Sequence, residues 1–135
     1  MKKLLIAFLI LSAFYSCDKV KFEGEGDIVT KTLNMNQIDR FSSNGSFDVF
    51  VEQGAEQSVV AEGESNIIDR LLTTVDGGRW DIKLKPGNYT EFSLTIKITT
   101  PNIEEMIIDG SGDVFIDQYS VSKLRLRSRG SGDFL

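Results

Sequence analysis

The chain has 135 residues, with 15 Lys and Arg against 20 Asp and Glu, one cysteine and no histidine. A net charge of −5 repels phosphate backbones and sets nucleic acid aside as a partner. Without histidine there is no Ser-His-Asp or Cys-His catalysis and no imidazole metal site, and a lone cysteine excludes an internal disulfide.

Lys2 and Lys3 lead into an apolar run from Leu4 to Phe14, "LLIAFLILSAF", about half of the ~20 residues that a membrane-spanning helix needs. A basic start, a short apolar segment and a small residue read as a secretory signal over residues 1–16. The next residue is Cys17, and "FYSC" resembles a lipobox with Ser16 as the small residue before the cysteine, although Phe14 and Tyr15 depart from the usual pattern. Cys17 is therefore the expected lipidation site. Acyl chains contribute ~0.8 kcal/mol per buried CH₂, so several chains on one cysteine tether a soluble domain durably to a membrane. The expected location is exported: an outer-membrane or cell-surface lipoprotein, with a periplasm-facing orientation left open. Asp18 follows the cysteine directly, but Lys19 and Lys21 interrupt any acidic sorting tag. Removing Lys2 and Lys3 with the signal takes the 15 cations to 13 against 20 acids, net −7.

Residues 17–26 are polar and punctuated by glycine, which reads as a tether. Beyond them the pattern is almost wholly β. Candidate strands are Asp27–Thr32, Ile38–Ser42, Phe47–Glu52, Ser58–Glu62, Trp80–Lys85, Phe92–Thr99, Ile103–Ile108, Asp113–Asp117 and Lys123–Ser128. "WDIKLK" and "FSLTIKIT" alternate apolar and polar residues cleanly, as does "KLRLRSR" at 123–129. Gly54, "DGG" at 76–78, "PGN" at 86–88 and Pro101 separate the strands. The one helix candidate is "ESNIIDRLL", 64–72, with Ser65 as N-cap. The class is all-β, in one domain over 27–135.

Repeats suggest the architecture. "IEEMIIDGSGDVFID" (103–117) aligns with "KLRLRSRGSGDFL" (123–135), and "IDRFSSNGSFDVFVEQG" (38–54) forms a weaker third copy. Gly110, Ser111, Gly112 and Asp113 correspond to Gly130, Ser131, Gly132 and Asp133, 20 residues on, whereas Gly45 lies 65 residues before Gly110. A unit of strand, glycine turn and strand is the size of one coil of a β-solenoid of the single-stranded right-handed β-helix type. In that reading the glycines supply φ > 0 at a repeated corner, and Ser and Asp bond to nearby backbone amides.

The sequence resembles the head GIN domain family of auto-transporter adhesins. The likeness rests on "FDVFVEQG" (47–54), "NIIDRLLTTVDGGRWDIKLK" (66–85), "LTIKITTPNIEEMIIDGSGDVFI" (94–116) and "LRLRSRGSGDFL" (124–135). It implies an exported bacterial protein with a β-solenoid-like fold, and it passes on no catalytic residue. Phe47 stands where the later copies have glycine, and the chain ends inside a repeat at Leu135 where family members continue. The expectation is a fragment lacking C-terminal coils, with an uncovered last edge.

The remaining chemistry is sparse. No cofactor or metal site is expected: the glycine turns lack the lysine and helix of a phosphate loop, and one carboxylate per repeat is far short of calcium-binding repeats. Asp109, Asp113 and Asp133 bracket the turns and fit turn caps, or else the acid and base of a carbohydrate-active enzyme. Alternation in "DVFVE" and "DVFID" turns Phe50 and Phe115 outward, where they form a surface for sugar rings or a surface protein, or lie beneath another segment. Trp80 reads as core and Tyr89 as loop. The sequence therefore points to a non-catalytic envelope lipoprotein that binds or adheres through a repetitive β face. The alternatives are a carbohydrate-active enzyme using the turn aspartates and a purely structural envelope component.

Overall fold

A computed structural model describes residues 20–135, so Cys17 and the signal segment lie outside the described residues. Strands form where the alternation lies: β1 (Lys21–Glu23), β2 (Ile28–Leu33), β3 (Arg40–Ser43), β4 (Asp48–Gln53), β5 (Ser58–Glu64), β6 (Val75–Asp76), β7 (Arg79–Ile82), β8 (Asn88–Thr90), β9 (Leu94–Thr100), β10 (Glu105–Ile108), β11 (Val114–Asp117) and β12 (Arg125–Ser128). Every sequence-predicted strand is present within a few residues. The additional strands β1, β6 and β8 have only two or three residues each, too few for alternation to register. Helix α1 covers only Ser65–Ile68. Ser65 is its first helical residue and not its cap, and Glu64 makes no side-chain cap bond. A single turn of this kind is held by burial of Ile67 and Ile68 and not by its own hydrogen bonds.

The strands pair into two five-stranded sheets and one small pair. Sheet I has the order β12-β10-β3-β7-β6 and sheet II the order β11-β4-β9-β5-β2, while β1 pairs with β8. The single-stranded β-helix expected from the repeats is not what forms. Both large sheets are mixed, since β2–β5, β5–β9 and β6–β7 are antiparallel. Neighbours are also out of sequence order, because β3 sits between β7 and β10 and β4 between β9 and β11. The middle of the chain supplies parallel partners, β7 beside β3 and β9 beside β4, together with antiparallel ones in β5 and β6, and does not continue a regular coil. The inner faces meet in one core, with Phe41, Trp80, Ile82, Met106 and Ile108 from sheet I against Val49, Val51, Ile96, Ile98 and Val114 from sheet II. Trp80 is fully buried and donates its indole N–H to the Leu72 carbonyl at 2.8 Å. Tyr89 is not a loop residue: it lies on β8 and stacks on Phe22 of β1 at 5.3 Å, and the Arg70 guanidinium sits 3.6 Å over the Phe22 ring. That cluster docks residues read from sequence as part of the tether.

The repeated turn joins sheet I to sheet II three times: β3 to β4, β10 to β11, and β12 to Phe134, which bridges to Val114. The three turns lie on one another in register. The Asp113 N–H donates to Asp48 Oδ1 at 2.9 Å, and the Asp133 N–H to Asp113 Oδ1 at 2.8 Å. Ser111 N–H donates to the Gly45 carbonyl and Ser131 N–H to the Gly110 carbonyl, both at 3.1 Å. The glycines are required for a different reason from the one expected. Positive φ occurs at Gly26, Gly77 and Gly78 but at none of the repeat glycines. Instead, a Cβ at Gly110 would overlap the Gly45 carbonyl and one at Gly112 the Phe47 carbonyl. Gly130 and Gly132 meet the Gly110 and Gly112 carbonyls in the same way. Phe47 is tolerated in the first turn because no further copy of the turn stacks beyond it, and its ring is buried in the core.

Candidate functional site

Parallel in-register pairing turns the repeat into a side-chain ladder. On sheet II, β4 and β11 place Phe50 opposite Phe115, and β9 places Lys97 on the other side of Phe50. The two rings stack with centroids 4.6 Å apart and planes within 9°. Both side chains point outward as their alternation requires, and Phe50 remains 41% exposed. Phe115 covers one face of it. The rings and their neighbours line a surface concavity of about 580 Å³ whose outward side chains are Phe50, Glu52, Lys97, Phe115, Asp117 and Leu135. It is a mainly apolar strip, with Lys97 beside Phe50 on the neighbouring strand, where it pairs with Glu62 at 3.3 Å, and with Glu52 and Asp117 two residues further along the strands that carry the rings.

The stacking changes what the aromatics offer. A flat sugar ring needs an open aromatic face, but the facing surfaces of Phe50 and Phe115 cover each other, and Phe50 has Lys97 one strand away on its far side. Alternation already turns Glu52 and Asp117 outward beside the rings, but Lys97 was not identified from sequence. Lys97 lies 47 positions from Phe50, and only the strand register joins them.

The turn residues Gly110, Ser111, Gly112, Asp113, Gly130, Ser131, Gly132 and Asp133 come together as the stack described above. Their roles there are structural. The Asp113 carboxylate is used on the backbone of the next turn, and Asp109 accepts from Ser42 Oγ at 2.7 Å and pairs with Arg129 at 2.7 Å. The hydrogen bond from Ser42, then the Arg129 guanidinium, hold the Asp109 carboxyl below its usual range. This gives the Asp113 carboxylate backbone work and the Asp109 carboxylate ion-pair work. Among the described residues no group of three or more acidic, cysteine or histidine side chains is placed to hold a metal ion.

The outer face of sheet I has the same ladder geometry and the opposite chemistry. Register sets Arg125, Glu105, Arg40 and Arg79 in one row across β12, β10, β3 and β7. Glu105 accepts from Arg79 at 2.8 Å and from Arg125 at 3.1 Å. Those bonds, that from Arg125 foremost, hold the Glu105 carboxyl below its usual range against the effect of its burial.

With this geometry established, the comparisons identify the chain. Residues 38–135 match the family described as "Putative auto-transporter adhesin, head GIN domain", and the chain belongs to it. Solved structures share the fold. A "putative adhesin" from Bacteroides fragilis is 18% identical with a TM-score of 0.77, covering 84% of this chain and 54% of that one. A "Putative lipid binding protein" from Parabacteroides distasonis is 24% identical, with a TM-score of 0.72 over 85% of this chain and 51% of that one. A "putative adhesin" from Parabacteroides merdae is 14% identical, with a TM-score of 0.72 over 80% and 46% of the two chains. At these identities the likeness concerns the fold, and the chain spans about half the length of each structure. No curated protein matches it.

Proposed function

We propose that this protein is a non-catalytic binding module of the cell envelope, exported and held to the membrane through lipid on Cys17, and that it adheres to a surface protein through the Phe50–Phe115 strip. The observation that carries the reading is the outward-facing, stacked aromatic pair on a rigid sheet, bordered by Lys97 on the neighbouring strand and by Glu52 and Asp117 along its own strands. An apolar strip with charged margins is the anatomy of a protein interface, and aromatic anchors dominate the energetics of such contacts. Membership of an adhesin family supports the same class. A protein ligand fits better than a sugar because each ring already has one face against the other and charged side chains border the pair, a mixture suited to a protein surface.

The test is binding of the purified chain to arrayed extracellular-matrix proteins, mucins and glycans, with Phe50→Ser/Phe115→Ser as the matched variant. Saturable capture by a protein component, reduced about tenfold or more in the variant as expected for lost aromatic anchors, supports the reading. Thermal melting of the variant must show a folded domain. Capture by glycans alone, capture indifferent to the substitutions, or release of reducing sugar from any polysaccharide would overturn it. Palmitate labelling that persists in Cys17→Ala would overturn the anchor.

A further inference from the structure

The charged ladder on sheet I has no part in the proposed adhesion strip, and it carries an excess of one sign. Six cations line a concavity of about 720 Å³ there: Arg40, Arg79, Lys123, Arg125, Arg127 and Arg129, with Glu104 and Glu105 as the only carboxylates in the lining. This concentration occurs on a chain whose net charge is −5. Four of the cations have partners. Arg79 and Arg125 share Glu105, Arg129 pairs with Asp109, and Arg40 pairs with Asp39. Lys123 and Arg127 have no carboxylate partner among the described residues. Register explains why Arg127 is left over, because it lies opposite Ile107, which in turn lies opposite Ser42. Neither neighbour in that row carries a charge.

The cations also form a line. Residues 123, 125, 127 and 129 alternate along and just beyond β12, so they recur every ~6.6 Å and the series spans ~20 Å. β12 is the last strand of sheet I among the described residues, and these side chains project from the outer face of that sheet. Each guanidinium carries five donors in a planar fork, and one bond to Glu105 leaves most of them free for carboxylate or sulfate oxygens. The shape of the site decides among polyanions. The lining apolar side chain, Ile107, is only 4% exposed, so the groove has no apolar wedge to enter a bilayer, and its concavity does not match a membrane plane. It holds no aromatic side chain on which a base could stack. Duplex nucleic acid carries one charge per ~1.7 Å of axis, much denser than the spacing of this row. We infer that the outer face of sheet I is an anion-binding groove for a linear acidic polysaccharide, whose carboxylate or sulfate groups are held by Arg127 and Lys123 and by the free donors of Arg125 and Arg79.

The experiment is retention of the full chain on heparin and on polygalacturonate during a salt gradient. It compares Arg127→Gln and Lys123→Gln/Arg127→Gln with Lys21→Gln, a control of equal charge change on β1, and with Phe50→Ser/Phe115→Ser. The expected result is retention at physiological salt on at least one of the two polysaccharides. The apparent affinity should fall about fivefold to tenfold in Arg127→Gln and further in the double variant, each lost contact being a charge-assisted bond. The Lys21 control and the aromatic variant should keep the wild-type elution position, which separates this groove from the adhesion strip. Equal weakening by Lys21→Gln and Arg127→Gln would show only diffuse charge and overturn the inference. Failure of retention on both polysaccharides would overturn it too, as would co-sedimentation with phosphatidylglycerol vesicles in place of polysaccharide retention.

Discussion

The two outer faces are built by one device and differ in what it repeats. Parallel strands in register set like positions side by side at ~4.8 Å. On sheet II the repeated residue is Phe, and like beside like is favourable, so Phe50 and Phe115 stack. On sheet I the same device brings Arg40, Arg79 and Arg125 into one row, where like beside like is repulsive. There the sequence breaks the repeat with Glu105, which takes a bond from each side. Register therefore amplifies an apolar repeat into a surface and forces a charged repeat to carry its own counter-charge. Arg127, whose row lacks such a counter-charge on the adjoining strands, is the point where a ligand anion fits.

Both faces depend on the turn stack, so the largest effect comes from breaking it. Gly112→Val places side-chain atoms against the Phe47 carbonyl, which is fixed in the stack. A loss at or above the upper end of the ~1–3 kcal/mol typical of overpacking is expected, because the neighbour is backbone and not a flexible side chain. Chemical denaturation would read it. Full stability in this variant would show that the turns are not stacked as described.

Next in size, Glu105→Gln separates the faces. It leaves Arg79 and Arg125 near each other without their common acceptor. Glu105 is mostly buried but its arginine partners are about a third and over half exposed, so solvent screening holds the cost to about 1 kcal/mol, and the melting temperature should drop accordingly. The rings should remain stacked. The companion effect is in acid. Glu105 and Asp109 have folded values below their ordinary ones. The stability they contribute is therefore complete above the unfolded range of about pH 4–4.5 and is lost as pH falls through the folded values. Wild type should lose stability over that acid window. Glu105→Gln should show a shallower decline, and an unchanged slope in a pH series of denaturation curves would contradict the assignment.

A smaller effect sharpens the other face. A double-mutant cycle of Phe50→Ala and Phe115→Ala should give a coupling of about 0.5–1.5 kcal/mol, the range for stacked aromatic pairs. Additive losses would mean that the rings do not interact.

Much of this was legible from residues alone, and the misses have physical causes. Alternation at "FDVFVE" and "FSLTIKIT" located strands β4 and β9, and it turned Phe50 outward correctly, because period-two patterning is a local signal. What alternation does not encode is the direction of the partner strand. The antiparallel entry of β5 between β2 and β9 therefore overturned the single-stranded β-helix inferred from the Gly-Ser-Gly-Asp repeat. The repeat reported the stacked turns faithfully, but not what the intervening 50 or so residues do (roughly the spacing between β4 and β10). The glycines were right in place and wrong in reason, since close approach of a neighbouring carbonyl and positive φ leave the same mark on a sequence. Lys97 beside Phe50 and Glu105 between two arginines are products of long-range register, which one sequence does not display.

The most direct test of the central claim is an amide chemical-shift map of the 15N-labelled chain, titrated with the non-glycosylated protein captured on the array. The account predicts that the amides of Phe50, Lys97, Phe115 and Asp117 move together and saturate, while those of Arg125 and Arg127 on the other sheet stay still. Shifts confined to sheet I, or to the turn aspartates Asp113 and Asp133, would contradict it.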